Sequence, residues 1–74
     1  MPRLPRLTAR EIIAVLQKVG FSLVRESGSH KIFKHPAGRR ATVPYHASKV
    51  LHPKTLKSIL RDANLSVEDL EKLL

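Results

Sequence analysis

The chain has 74 residues and a net charge of +8, a length that supports one core and leaves none for a second domain. Hydrophobic residues make up 42% of it, led by Leu and Val, which is too apolar for a disordered segment. It holds no cysteine, so disulfides, thiolate zinc sites and thiol nucleophiles are excluded.

The chain reads as one domain over residues 1–74, with 1–6 a flexible basic tail. Its start, "MPRLPRL", lacks an apolar run behind the basic residues and does not read as a signal peptide. No run approaches the length of a membrane span, so a cytoplasmic protein without membrane association is expected. The first helix begins after Thr8, which can cap the amide of Glu11 while the Glu11 carboxylate reaches back. Leu7 can staple onto Ile12, and Ile12, Ile13, Leu16 and Val19 recur at helical spacing before Gly20 stops the helix.

The hydrophobic period then changes. "FSLVRE" predicts a first strand with Phe21 and Leu23 on one side, and "SGS" a tight turn in which Gly28 takes positive φ. "HKIFKH" predicts a second strand ended by Pro36, and "RATVP" a third ended by Pro44. Short connections make the three antiparallel neighbours. "YHASKVLH" is an irregular connection. Pro53 suits the first position of a second helix whose inner face is Leu56, Ile59, Leu60 and Ala63. Asn64 can end that helix, and Ser66 with Asp69 opens a short last one carrying Leu70, Leu73 and Leu74. The predicted class is α+β, a three-stranded antiparallel sheet with helices on one face and a short C-terminal helix.

Charge is distributed unevenly. From Ser27 to Arg61 there is no acidic residue, while the same stretch carries eight lysines and arginines and all four histidines. Such a stretch repels itself unless an anion offsets it. Nucleic acid is the first candidate partner and an acidic protein the second. With only Phe21, Phe33 and Tyr45 as aromatics, a broad base-stacking platform is not expected.

Two-metal nuclease chemistry needs clustered carboxylates, and only Glu26 flanks the histidine-rich stretch. Zinc on His30, His35, His46 and His52 is disfavoured because the odd spacing of His30 and His35 sends them to opposite faces of a strand. No metal and no small-molecule cofactor is therefore expected. Metal-free proton transfer remains. RNA carries its own nucleophile in the 2′-hydroxyl, and a histidine among lysines and arginines can take that proton and offset the phosphorane charge. By spacing alone, His30 reads better as an ordinary polar residue at a strand start. Ile32 and Phe33 are both large and point opposite ways, so strand parity leaves open which of Lys31 and Lys34 faces out.

Several segments together are more specific. The Gly28-Ser29-His30 step, the His35-Pro36…Gly38-Arg39 turn, the Thr42-Val43-Pro44…His46 segment and "TLKSILRDANLS" closely resemble the HicA-type mRNA interferase toxins, from about Thr8 to the C-terminus. The resemblance implies a double-stranded-RNA-binding-domain-like fold, metal-independent RNA cleavage, and a HicB-type antitoxin covering the active surface. It implies that His30 is the catalytic residue, positioned by the Gly28-Ser29 turn. Lys31, Lys34, Arg39, Arg40, His46, Lys54 and Lys57 are then the candidate RNA contacts. Family members commonly have glycine where this chain has Ser48, and Gly-Thr where it has Lys54-Thr55. The alternative on the same scaffold is a non-catalytic RNA-binding module.

Overall fold

Thr8 caps the first helix as its spacing predicts. Its hydroxyl accepts from the Glu11 amide while the Glu11 carboxylate accepts from the Thr8 amide at 2.9 Å. In the computed structural model, which describes residues 4–46 and 49–74, this helix is α1 (Ala9–Lys18). It is followed by strands β1 (Ser22–Ser27), β2 (His30–Lys34) and β3 (Arg40–Pro44), then helices α2 (Pro53–Ala63) and α3 (Val67–Leu73). The strands form one antiparallel sheet in the order β1-β2-β3, so the expected α+β architecture is present.

The core lies between the sheet and the helices. Ile12, Val15 and Leu16 of α1, Phe33 of β2, Ala41 and Val43 of β3, Leu56 and Ile59 of α2, and Leu70 of α3 are all essentially inaccessible. Side chains of this size contribute about 1.5–3 kcal/mol each when fully buried. The inner face of α2 is the one the periodicity predicts, and Asn64 ends the helix in the left-handed conformation (φ 58°, ψ 41°). Val15 joins the α1 stripe, and Ile13 and Val19 are only partly buried.

Leu23 pairs with the core residue Phe33 and so lies on the side of Phe21, but at this edge strand it is 44% exposed, while Phe21, which precedes the strand, is buried. The register of β1 shifts between Leu23 and Arg25. Leu4 packs against the core, and Leu4, Pro5 and Arg6 line a groove with Val50, Leu51 and Pro53. The Leu51 amide donates to the Leu7 carbonyl at 2.7 Å, and Thr8 bridges Val50. An apolar residue next to a free backbone segment thus continues the fold toward the N-terminus. Residues 1–3 of the expected basic tail lie outside the described residues.

His35 joins the α1 end to the β2–β3 turn. Its Nδ1 accepts from the Ala37 amide at 2.9 Å, which leaves the hydrogen of the neutral ring on Nε2, 3.0 Å from the Val19 carbonyl. The ring also lies 5.1 Å from that of Phe21, tilted by 59°. Gly20 makes this approach feasible. Its φ is +102°, and a Cβ there would stand 3.0 Å from His35 Nε2. Gly38 also has positive φ (+97°), but a Cβ there meets only open space. Gly20→Ala is therefore expected to destabilise the fold by about 2–3 kcal/mol, and Gly38→Ala by only about 1 kcal/mol from backbone strain. Denaturant midpoints of the two variants check the order.

Ser66 and Asp69 form a second reciprocal cap, on α3. Hydrogen bonds from the Ser66 backbone and hydroxyl hold the Asp69 carboxyl below its ordinary range. Because the folded value is the lower one, the support is present above the ordinary carboxylate range and is lost as pH falls through the folded value. Asp69→Asn is expected to flatten the acid limb of the stability–pH curve, measured by thermal melts at a series of acid pH values.

Candidate nucleic-acid interface

The β1–β2 hairpin sets the position of His30. Gly28 and Ser29 are its two connecting residues, with Ser27 and His30 paired across the ladder. Gly28 has φ +57°, and Ser29 is not in the left-handed region. This is the pattern of a hairpin turn with glycine at its first central position. The Tyr45 amide donates to the Ser29 carbonyl at 2.5 Å and so ties the turn to the end of β3. His30 is consequently held by backbone pairing on both sides, to Ser27 and to Pro44.

Burial settles the parity that the sequence leaves open. Phe33 is 1% exposed and lies opposite Ala41, itself inaccessible, so these residues face the helices. Alternation then sends His30, Ile32 and Lys34 to the opposite, uncovered face. Their partners Pro44, Thr42 and Arg40 stand beside them. His30 is exposed, and its imidazole has no hydrogen-bond partner among the described residues.

The uncovered face is basic. Lys34 and Arg40 are directly opposed, and Arg25 pairs with Ile32 just past the bulge. Like charges set directly across a ladder destabilise it, and no carboxylate on this face offsets them among the described residues. Val24, Arg25, Ile32, Lys34 and Arg40 line a shallow depression there. Arg25 lies upstream of the acid-free stretch and was not among the sequence candidates. Its place follows from the two-residue turn, which pairs Ser27 with His30 and therefore Arg25 with Ile32.

Lys31 is not brought to His30. It lies on the helix-covered side opposite Val43, paired with Glu26 at 3.2 Å and with its ammonium 4.0 Å from the centre of the Tyr45 ring. Arg39 is exposed in the β2–β3 turn, where its carbonyl accepts from the His35 amide at 2.8 Å. Lys54 and Lys57 are exposed on α2, within the helix layer, and His46 is exposed just beyond β3. The sequence candidates thus divide between the two sides of the sheet. His30, Lys34 and Arg40 share one face, and Lys54 and Lys57 belong to the other layer. His35 is used by the fold, and His52 accepts from the Lys54 amide at 3.1 Å as the cap of α2. Among the described residues no three of His, Asp and Glu come together as metal ligands.

Tyr45 is a second feature the sequence reading did not single out. The Arg10 guanidinium beside it, reinforced by the charge of Lys31, holds its phenol below the ordinary value. It is the only tyrosine, so ultraviolet titration reads it directly. Phenolate formation is expected at lower pH than in free tyrosine, and Arg10→Gln is expected to move it back upward.

Residues 9–65 match the model of a family described as the HicA toxin of bacterial toxin-antitoxin. The chain belongs to the HicA toxin family. No individual curated protein matches it. As a HicA toxin it is one half of a toxin-antitoxin pair, and an antitoxin is its partner. The match begins at the first residue of α1 and ends just beyond α2. It therefore takes in the hairpin, the uncovered face and the α2 lysines, while α3 lies outside it. No helix among the described residues of this HicA chain is long and apolar enough to cross a membrane.

Proposed function

We propose that this HicA-family toxin is a ribonuclease that cleaves mRNA without a metal, with His30 as the proton-transfer residue. The observation that carries the reading is an imidazole without a hydrogen-bond partner, on a basic sheet face that holds no carboxylate among the described residues. Such a face attracts a polyanion and, among those residues, offers no carboxylate ligand for a divalent ion.

In the reaction, neutral His30 takes the proton of a ribose 2′-hydroxyl. The 2′-oxygen bonds to the adjacent phosphorus, and the bond from phosphorus to the 5′-oxygen of the next nucleotide breaks. A 2′,3′-cyclic phosphate is left on one product and, once a proton is supplied, a 5′-hydroxyl on the other. Lys34 and Arg40 offset the charge that accumulates on the phosphorane oxygens, and Arg25 adds to the field. Arg39, Lys54, Lys57 and His46 extend the RNA footprint around the edge of the sheet. Lys31, already paired with Glu26, acts mainly through its hold on the hairpin and Tyr45. Neutralisation follows from the same electrostatics. A HicB-type antitoxin laid over the uncovered face would supply the missing negative charge and exclude RNA.

His30→Ala is expected to abolish cleavage of RNA and growth arrest while leaving the melting curve unchanged, because the side chain is exposed and outside the core. Wild-type cleavage is expected to persist in excess chelator. Purified protein incubated with labelled RNA decides the matter. RNA that is bound but left intact, or a His30→Ala variant that cuts at the wild-type rate, overturns the assignment.

A further inference from the structure

A concavity of about 180 Å3 lies at the end of β3, and Pro44, the cross-strand partner of His30, forms part of its wall. Directly opposed residues project to the same side of a sheet, so the Pro44 wall stands one strand spacing from His30, which is not itself in the lining. Its lining is mostly apolar, supplied by Pro44, Val50 and Leu51, and His46, Lys49, His52 and Thr55 add its polar groups. This is the composition of a site for a flat, partly polar ring, with apolar surface for the ring faces and a few convergent polar groups to orient it.

The polar groups favour one hydrogen-bonding pattern. The Lys54 amide donates to His52 Nδ1 at 3.1 Å. A backbone amide can only donate, so in the neutral ring the hydrogen sits on His52 Nε2 and is available to a ligand. The Lys49 ammonium is also a donor and the Thr55 hydroxyl can be one, while no carboxylate lines the concavity among the described residues. Donors of this kind suit a base edge rich in acceptors. Guanine presents O6 and N7, and uracil presents two carbonyl oxygens. Adenine places an amino donor where the pocket already offers donors.

We infer that this pocket is a nucleobase subsite selective for guanine or uracil over adenine. Resting on the ribonuclease reading, it would hold the base beside the scissile phosphate and set where the chain cuts.

The test separates base binding from cleavage by using full-length protein carrying His30→Ala, titrated with GMP, UMP and AMP and followed by backbone amide NMR. The expected result is that GMP and UMP shift the Val50, Leu51 and Thr55 amides and bind about fivefold or more tightly than AMP, the scale of one base-edge contact. Adding Val50→Trp, at a position already 53% exposed, is expected to fill the pocket and remove those shifts. Adding His52→Ser keeps a good helix cap but deletes the Nε2 donor, and is expected to bring GMP and AMP toward equal affinity. Shifts that are the same for all three bases, that fall elsewhere on the chain, or that survive Val50→Trp overturn the subsite. Because His30 is absent throughout, such a failure leaves the ribonuclease reading to the wild-type cleavage assay.

Discussion

Burial of Phe33 governs how the rest of this surface is arranged. Once that ring is enclosed by α1 and α2 against Ala41 and Val43, the two-residue period of the strand leaves no freedom. His30, Ile32 and Lys34 must stand on the opposite face, and Lys31 must stand with Phe33. A slip of one residue would bury His30 and Lys34 and expose Phe33, at a cost that no surface interaction could offset. The Gly28-Ser29 turn enforces the same register from the other end by pairing Ser27 with His30. Core packing and turn geometry therefore specify the same orientation independently.

Much of the fold could be read from the sequence because its determinants are local. Capping signals at Thr8, Ser66 and Asn64, and prolines at positions 44 and 53, act over three or four residues and are visible without knowing what packs where. The inner face of α2 was equally plain, since its apolar residues follow one helical period. Parity in β2 was not, because Ile32 and Phe33 are both large and apolar, and only the presence of helices on one side distinguishes them. The exposure of Leu23 depends on β1 being an edge strand, and the placement of Arg25 on the hairpin register that sets it opposite Ile32, features of pairing rather than of composition.

The basic surface shows the same division. The acid-free stretch is evident in the sequence, but which of its charges converge is a tertiary property. Lys34 and Arg40 meet because β2 and β3 pair, whereas Lys31 is removed from the set by Glu26 and Tyr45. The four histidines divide in a comparable way. His35 and His52 each give a ring nitrogen to a backbone amide and serve the turn and the helix cap. Nothing in the residue type marks that role. It arises from local backbone geometry, which turns the Ala37 and Lys54 amides back onto those rings.

The exposure of His30 has an evolutionary consequence. The imidazole supports neither the core nor a cap, so a single codon change there would silence the proposed chemistry while the domain still folded and still displayed the charged sheet its antitoxin would engage. Escape from toxicity would thus be easy to reach and hard to detect from the shape of the protein. Inactive copies of such a chain could persist as decoys that titrate the antitoxin away from active toxin.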